Sequence, residues 1–391
     1  MPDRRPIKVC VVTGSRAEYG LMRWPMQTLM DSPAFDLQIA ALGTHFDEKF
    51  GNTYLEIERD GFVIDKKISA SFGSRSDVDL VKAVGTMSDR FATALQDLSP
   101  DLVLFMGDRY ELLSVCSACV LMAVPMGHVS GGELTEGAID EQIRHAVTKM
   151  AHLHFVANET YGRRVNQMGE ETWRICISGE PGLDNVRWLP LYTKSELASD
   201  LGLDLSKPTA LVTLHPTTLE AERRREHIGT FFQALENLDL QYVLTYPNAD
   251  SRSDEIITAL KSFQEHNPER AVLRKNLGQK RYLSALKHLS LMIGNSSSGI
   301  FEAPSFNMPA VNIGDRQKGR MQARNVFNVD YDVDQIATAA EKAMSYDRTK
   351  SCVNPYGDGR SSDRIADFIA NVFSSRSKSE ILHKQFQDLS C

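Results

Sequence analysis

Residues 289–302 combine an apolar run with a loop of small, mostly hydroxyl-bearing residues, which reads Gly-Asn-Ser-Ser-Ser-Gly at positions 294–299. A strand that ends in such a loop and leads into a helix presents backbone N–H groups and serine hydroxyls to a phosphate. Glycine lets the backbone approach a ligand closely. The spacing matches neither the dinucleotide-binding G-x-G-x-x-G pattern nor the P-loop, so an ordinary strand-to-helix turn capped by serine is the alternative interpretation.

Other charged and polar residues that could bind a diphosphate or move a proton lie just after apolar runs. They are Arg16, Asp108, Arg109, Glu133 and Asp140 in the first half, and His215, Asn248, Glu302 and Arg316 in the second. Arginines, serines and helix starts suit a pyrophosphate, whereas carboxylates and a histidine suit proton transfer. Plainer interpretations also exist: residues 107–109 as a capped turn, and His215 as a strand end. Asp140 and Arg144, one turn apart, fit an exposed helix pair.

The elements that must position these residues alternate between strand-like and helix-like runs. Predicted strands span residues 7–13, 35–42, 101–106, 125–129, 153–157 and 174–178, and after a looser stretch at about 181–206 they resume at 210–214, 242–246, 271–273, 289–293 and 310–313. Strands with few alternating polar residues, each followed by a helix, indicate a parallel sheet covered on both faces. Ligands of such sheets bind just after the strands, so the concentration of polar residues there favours a functional site.

The predicted fold class is therefore α/β, with two Rossmann-like doubly wound domains that face a central cleft. The predicted boundaries are residues 1–185 and 186–391, with the break in the looser stretch. The last helix, at about 361–374, is expected to pack back on the N-terminal domain.

Composition argues against several classes of protein. Of 391 residues, 42% are hydrophobic and 24% are charged, without an apolar run near the roughly 20 residues of a membrane span. A net charge of −7 argues against a nucleic-acid surface. The first apolar run leads into Gly14 as a strand would, so no signal peptide is predicted.

The cysteines indicate reduced thiols. Six are scattered along the chain, and Cys116 and Cys119 form a lone C-x-x-C without the second pair that a zinc site needs. Buried helix-face thiols are the favoured interpretation, which fits the cytoplasm. We therefore expect a cytoplasmic protein without a metal site and without membrane or nucleic-acid partners.

Several short motifs follow one another over nearly the whole chain, at residues 13–20, 51–54, 107–109, 131–133, 140–152, 215–216, 294–299 and 314–317. In this order they resemble the hydrolysing UDP-N-acetylglucosamine 2-epimerases of bacterial sialic-acid biosynthesis. The resemblance implies a GT-B-like fold, with catalytic carboxylates in the N-terminal domain and UDP held mainly by the C-terminal domain. It also implies a homodimer or homotetramer, a UDP-sugar substrate and no cofactor.

The resemblance further implies roles for individual residues. Ser296 and Ser297 would bind the β-phosphate, and Glu302 would accept from the ribose hydroxyls. The rest of the implied UDP-binding set is Arg16, Arg109, His215, Asn248 and Arg316, and the implied catalytic set is Asp108, Asp140, Glu133 and His215. The implied reaction is anti elimination of UDP to a 2-acetamidoglucal, followed by syn addition of water to give N-acetylmannosamine. Removal of an unactivated C2 proton needs a positioned base and a stabilised leaving group.

One position departs from the family pattern. Several members have glutamate where this chain has Ser130, so Glu133 or Glu136 replaces that carboxylate, or another residue is the base. Segment 134–138 is also one residue longer than in those members. Both features resemble the subgroup associated with legionaminic-acid-type pathways. Its substrates, UDP-N,N'-diacetylbacillosamine or a GDP-linked sugar, are therefore the alternative.

Two other classes of function fit part of the sequence. A GT-B glycosyltransferase would share the fold and the phosphate loop but would need an acceptor. A non-catalytic nucleotide-sugar sensor would keep the serine loop and Glu302, but it would have no use for Asp108 together with Asp140.

Overall fold

The computed structural model describes residues 5–47, 51–70, 76–134, 139–216, 224–247 and 253–388. The chain divides into two compact units, one formed by Met1–Asn185 with Tyr356–Cys391 and the other by Val186–Pro355. The whole segment from Tyr356 onward, and not only its last helix, therefore groups with the first unit.

The described part of the first unit contains a seven-stranded sheet. Its strands are β1 (Ile7–Thr13), β2 (Phe35–Leu42), β3 (Lys66–Ile68), β4 (Leu102–Met106), β5 (Met126–Val129), β6 (Leu153–Val156) and β7 (Ile175–Ile177). The order is β3-β2-β1-β4-β5-β6-β7, and every neighbouring pair is parallel. The edge strand β3 carries two lysines in three residues, and the sequence pattern does not predict it.

Helices cover both faces of this sheet. They are α1 (Arg16–Asp31), α2 (Tyr54–Arg59), α3 (Asp77–Leu98), α4 (Glu111–Leu121), α5 (Ile139–Met150), α6 (Glu159–Gln167), α7 (Asp184–Trp188, where the chain leaves the unit), α14 (Ser361–Ser375) and α15 (Lys378–Leu382). One core contains Phe91 and Phe105, and the other contains Met22 and Phe155. Met87 and Phe91 lie on the buried face of α3, as their four-residue spacing predicts, whereas Val81 is 72% exposed.

Buried polar contacts hold the C-terminal segment on the first unit. Asp184 accepts hydrogen bonds from the backbone N–H groups of Ser361 (2.9 Å) and Ser362 (2.7 Å), at the start of α14. That helix packs against α1. Arg174, which is 1% exposed, donates to the carbonyl oxygen of Ile381 (2.8 Å). These contacts explain why the chain's end belongs to this unit.

The second unit is built in the same way. Among its described residues the strands are β8 (Thr209–Thr213), β9 (Gln241–Thr245), β10 (Ala271–Arg274), β11 (Leu291–Gly294), β12 (Ala310–Ile313) and β13 (Val326–Val329). They form a parallel sheet in the order β10-β9-β8-β11-β12-β13. The helices are α8 (Lys194–Leu201), α9 (Arg224–Glu236), α10 (Ser253–His266), α11 (Gly278–His288), α12 (Ser298–Phe301) and α13 (Val333–Met344). The edge strand β13 and helix α8 are absent from the sequence-based prediction.

The predicted fold class, two Rossmann-like α/β domains, is confirmed. In each sheet the strand order reverses between two neighbours, which are β1 and β4 in the first unit and β8 and β11 in the second. Ligands of doubly wound sheets bind outside the carboxyl ends of the strands at this switch point. That the two domains face each other across a cleft stays a prediction. No helix in the described part of the chain is both long and apolar enough to span a membrane.

Candidate active site

At the switch point of the first unit, a reciprocal pair of hydrogen bonds fixes the loop after β1. Ser15 Oγ accepts from the backbone N–H of Glu18 (3.3 Å), and the Glu18 carboxylate accepts from the backbone N–H of Gly14 (2.7 Å). A Cβ on Gly14 would lie 3.3 Å from Glu18 Oε2, so the close approach of the Glu18 carboxylate favours glycine at this position. The loop thereby holds the Glu18 carboxylate near the carboxyl end of β1.

Arg109, in the loop after β4, lies between two buried carboxylates. Its Nη2 donates to Glu111 Oε1 (2.9 Å), and its Nε lies 3.7 Å from Glu18 Oε1. Burial raises the pKa of Glu18 to about 7, with the Gly14 N–H opposing the shift and the negative charge of Glu111 adding to it. Burial would lower the pKa of Arg109, but the hydrogen bond and charge of Glu111 outweigh it, and the pKa is raised. Glu18 and Glu111 were not among the predicted site residues, although Glu18 lies in the motif at 13–20.

Arg144 connects two of the predicted catalytic carboxylates. Its Nη2 donates to Asp108 Oδ2, and its Nη1 donates to the carbonyl oxygen of Ser130 (2.7 Å) and lies 3.5 Å from Glu133 Oε2. Only 7% of Arg144 is exposed, so solvent screens these ion pairs weakly. The interpretation of Arg144 as the exposed partner of Asp140 is therefore wrong, because the guanidinium is buried against Asp108.

Asp140, in the first turn of α5, lies close enough to Asp108 for their charges to interact. Partial burial and then the negative charge of Asp108 raise the pKa of Asp140, while Arg109 and Arg144 oppose the shift. Asp108 is instead fixed by its ion pair with Arg144. Two carboxyl groups in such unlike environments allow one to act as an acid and the other as a base.

The turn that carries Asp108 is supported from the neighbouring strand. Gly107 has a φ of 88°, and its carbonyl oxygen lies 2.8 Å from Nε2 of His128 on β5. His128 is fully buried, and burial lowers its pKa to about 3, so the ring is neutral at pH 7. A neutral ring that donates through Nε2 leaves Nδ1 facing the hydroxyl of Thr148, at 3.0 Å. The histidine thus orients the turn without adding a charge beside Asp108.

Arg16 is placed differently from the other predicted residues of this unit. It begins α1, and its Nε donates to Glu56 Oε2 on α2 at 2.9 Å. Its side chain is 63% exposed, so the ion pair contributes little to stability. The guanidinium therefore remains accessible to a ligand, outside the buried network of Asp108 and Arg144.

In the second unit, two residues fix the strand end at the switch point. Gly294, the last residue of β11, has a φ of 143°, and a Cβ there would lie 2.0 Å from the carbonyl oxygen of Thr213 on β8. The next residue, Asn295, is fully buried and pairs with the backbone of His215. Its Oδ1 accepts from the His215 N–H (2.7 Å), and its Nδ2 donates to the His215 carbonyl oxygen (2.9 Å).

Asn295 also holds the loop after β12. Its main-chain carbonyl oxygen accepts from Arg316 Nη1 (3.2 Å) and from Gln317 Nε2 (2.9 Å). His215, the serine loop and Arg316 are therefore gathered around one buried asparagine, although they are distant in sequence. Asn295 was not predicted as a site residue, because within the motif at 294–299 it has the pattern of a turn residue.

The serine loop leads into the four-residue helix α12. Ser297, at the N-cap position, makes no side-chain capping hydrogen bond. Ser296 Oγ instead accepts from the backbone N–H of Ser298 (3.3 Å). Burial raises the pKa of Tyr282 on α11 to about 12, and the hydroxyls of Ser298 and Ser296 oppose the shift. Burial also raises the pKa of Glu302, against the hydrogen bond with Ser298.

Other predictions concern residues outside these two clusters. Asn248 and Glu136 lie outside the described residues. Among those described, His, Cys, Asp and Glu side chains form no group of three or more that could hold a metal ion. Cys116 and Cys119 are free and buried, as predicted, and burial raises the pKa of both thiols.

Known proteins similar to this chain match it over most of its length. Residues 27–370 match the family model described as UDP-N-acetylglucosamine 2-epimerase. The chain is 39% identical over 383 residues to the Campylobacter jejuni protein named GDP/UDP-N,N'-diacetylbacillosamine 2-epimerase (hydrolyzing). The match covers 98% of this chain and 99% of that protein. It is 34% identical over 365 residues to the Legionella pneumophila protein named UDP-N,N'-diacetylbacillosamine 2-epimerase (hydrolyzing), covering 93% and 96% respectively.

The fold is also similar to that of a solved structure. The crystal structure of the UDP-GlcNAc 2-epimerase from Neisseria meningitidis bound to UDP-GlcNAc superposes with a TM-score of 0.75 and 17% identity, covering 93% of this chain and all of that one. At this identity the likeness concerns the fold alone.

Proposed function

Since the chain belongs to the UDP-N-acetylglucosamine 2-epimerase family, we propose that it is a hydrolysing 2-epimerase of a nucleoside-diphosphate-linked 2-acetamido sugar. The observation that carries the proposal is the pair Asp108 and Asp140, two nearby carboxyl groups held in unlike environments. In the proposed reaction a carboxylate removes the C2 proton, the C–H electrons form the C1=C2 bond, and the C1–O bond breaks to release the nucleoside diphosphate. Water then adds to C1, and a proton adds to C2 from the same side as the water, which is the face opposite to the one that lost its proton.

The proposed catalytic set is Asp108, Asp140, Glu133 and His215. Asp108 and Glu133 are supported by their shared partner Arg144, which fixes both carboxylates in a buried network. Asp140 is supported as a proton donor by its raised pKa, caused first by burial and then by Asp108.

The proposed nucleotide-binding set is Arg16 and Arg109 in the first unit, and His215, Asn248, Ser296, Ser297, Glu302 and Arg316 in the second. Asn295 supports it, because this residue gathers His215, the serine loop and Arg316 at the switch point. Charge on the leaving diphosphate would be met by arginines and backbone N–H groups. A homodimer or homotetramer and a cytoplasmic location stay predictions.

For the sugar, we favour UDP-N,N'-diacetylbacillosamine or its GDP-linked counterpart. Two relatives that cover at least 93% of this chain, at 39% and 34% identity, carry this substrate in their names. Ser130 and the longer segment 134–138 are further support from the sequence. UDP-N-acetylglucosamine is the second candidate, favoured by the description of the family as a whole, and its product would be N-acetylmannosamine. Either product would serve the biosynthesis of sialic-type acids.

The test is a reaction in D2O without an acceptor sugar. Purified protein is incubated with each of the candidate sugar nucleotides, and nucleoside diphosphate and free sugar are followed by NMR and mass spectrometry. We expect release of the diphosphate together with a reducing sugar that carries one deuterium at C2, and the highest kcat/KM with the diacetylbacillosamine substrate. Absence of diphosphate release from all of them would contradict the proposal and favour a glycosyltransferase or a sensor.

A further inference from the structure

Glu180 is connected to the network of Asp108 although it is far from it in sequence. Its Oε2 accepts a hydrogen bond from the hydroxyl of Ser130 at 3.2 Å. Glu180 follows β7 and Ser130 follows β5, so the contact spans the carboxyl ends of two non-adjacent strands. The sequence gives no sign of this pair, because 50 residues separate its members.

Ser130 is held by contacts from every polar group it has. It is a non-glycine residue with a φ of 64°, in the left-handed region that costs free energy for most side chains. Its N–H donates to the carbonyl oxygen of Phe155 (2.9 Å), and its own carbonyl oxygen accepts from Arg144 Nη1 (2.7 Å). Only 4% of Ser130 is exposed. The hydroxyl bond to Glu180 therefore helps to keep the carbonyl oxygen aimed at Arg144.

The backbone of Glu180 is itself fixed by two hydrogen bonds. Its backbone N–H donates to the carbonyl oxygen of Tyr356 (2.7 Å), and its carbonyl oxygen accepts from the N–H of Leu183 (3.0 Å) in the turn that begins at Pro181. The side chain is partly buried. Its carboxylate thus extends from a rigid backbone toward Ser130, as expected for a residue that orients another one.

We propose that Glu180 is a positioning residue for the reaction, acting through Ser130 on Arg144 and through Arg144 on Asp108; this inference rests on the proposed function. The hydrogen-bonded chain runs from the Glu180 carboxylate to the Ser130 hydroxyl, from the Ser130 carbonyl oxygen to Arg144, and from Arg144 to the Asp108 carboxylate. Without Glu180 the Ser130 hydroxyl loses its acceptor, and Arg144 is held less firmly against Asp108. A small misplacement of a catalytic group slows the chemical step more than it weakens substrate binding.

The kinetic test is a double-mutant cycle of Glu180→Ala and Ser130→Ala. We expect each single change to lower kcat by roughly 10–100-fold with KM within about threefold. The double variant should be no slower than the slower single variant, because both changes break the same chain. Glu180→Gln keeps an acceptor oxygen, so it should recover most of the loss. Effects that multiply, or a loss confined to KM, would overturn the proposal.

A second measurement reads the position of Arg144 without turnover. With 15N-arginine labelling, the guanidinium Nε–H signal that disappears in Arg144→Lys reports its environment. We expect Glu180→Ala and Ser130→Ala to shift or broaden this signal, and Glu180→Gln to do so less. An unchanged signal in folded Glu180→Ala would overturn the proposal. If the wild type releases no diphosphate from any candidate substrate, the proposed function fails, while this signal still decides whether Glu180 positions Arg144.

A matched control is available in the same unit. Ser377 Oγ donates to Glu380 Oε2 (2.7 Å) in the capping box of α15, which is the same chemical pair in a helix cap. Ser377→Ala and Glu380→Ala should leave both kcat and the Arg144 signal at their wild-type values. Should they change kcat as much as Glu180→Ala does, the effect of Glu180 would be a general loss of structure. If Glu180→Ala does not fold, Ser130→Ala and Glu180→Gln provide the same comparison.

Discussion

The two switch points of this protein share a topology but differ in chemistry. In the first unit, the loops after β1 and β4 carry buried ion pairs, with Glu18 and Glu111 on Arg109, and Asp108 on Arg144. In the second unit, the loops after β8 and β11 are held mainly by neutral groups, above all by the side-chain amide of Asn295. The sheet topology determines where a ligand binds, whereas the side chains at that point determine what is done to it.

This difference suggests that the two units contribute different functions to the reaction. A cluster of carboxylates suits the movement of a proton, and the first unit has one, in which burial raises the pKa of Glu18 and of Asp140. Serine hydroxyls, backbone N–H groups and an arginine suit a diphosphate, and they lie in the second. Substitutions of the carboxylates in the first unit should therefore affect mainly the chemical step, and substitutions in the serine loop of the second unit should affect mainly nucleotide binding.

The largest effect is expected for Asp108→Asn. Loss of an acid/base carboxylate should lower kcat by roughly 10²–10⁴-fold, because the amide neither accepts the proton nor balances the charge of Arg144. Initial rates of diphosphate release measure it. Asp101→Asn is the control, since Asp101 pairs with Arg5 at the surface before β4 and should leave kcat unchanged. Normal turnover of Asp108→Asn would place the proton chemistry elsewhere.

The next effect concerns the pH dependence of stability in Glu18→Gln. The pKa of Glu18 is about 7 in the folded state, above its ordinary value of 4.5. The folded state therefore holds this proton more tightly, and the free energy of unfolding falls as the pH rises from about 4.5 to about 7. Glutamine does not titrate, so the variant should gain stability relative to the wild type across this window, by up to about 3 kcal/mol.

Urea unfolding at pH 5 and pH 8 measures this gain. Glu58→Gln, at the partly exposed ion pair with Lys67, serves as the control and should differ from the wild type equally at both values. If the difference between Glu18→Gln and the wild type is the same at pH 5 and pH 8, burial does not perturb Glu18 and the contrast between the two units weakens.

A smaller effect is expected for Asn295→Ala in the second unit. The change removes the amide that pairs with the backbone of His215, and it should lower the free energy of unfolding by about 1–3 kcal/mol. The amide also fixes the backbone of residue 295, whose main-chain carbonyl oxygen accepts from Arg316, so UDP should also bind more weakly. Asn237→Ala changes an exposed asparagine just after α9 in the same unit and should cost less than about 0.5 kcal/mol. Equal costs for the two variants would show that Asn295 does not organise the site.

The sequence predicts much of the fold because the signals are local. Apolar runs of strand length located most strands, and the regular spacing of Met87 and Phe91 located the buried face of α3. The edge strands β3 and β13 were missed because neither has an uninterrupted apolar run: β3 carries two lysines in three residues, and Asn328 interrupts β13. The ends of the predicted strands then indicated which loops carry polar residues, including the loops that contain Asp108 and His215.

Pairing within the site could not be predicted, because it depends on contacts between distant residues. Arg144 has the spacing of a surface partner for Asp140, yet the packing of α5 buries it against Asp108. Glu111 begins an apolar helix and becomes relevant only through Arg109. Likewise, Glu180 follows the last strand of its sheet, and only the fold places it beside Ser130.

The most direct test of the division between the two units is a calorimetric titration of UDP into Asp108→Asn and Ser297→Ala, side by side with the wild type. A hydrogen bond to a charged phosphate is worth roughly 1.5–3 kcal/mol, so we expect Ser297→Ala to raise the Kd by about 10–100-fold. We expect Asp108→Asn to keep its Kd within a few-fold of the wild type, because it removes no proposed phosphate contact. The opposite pattern, with UDP binding lost in Asp108→Asn and unchanged in Ser297→Ala, would contradict the account.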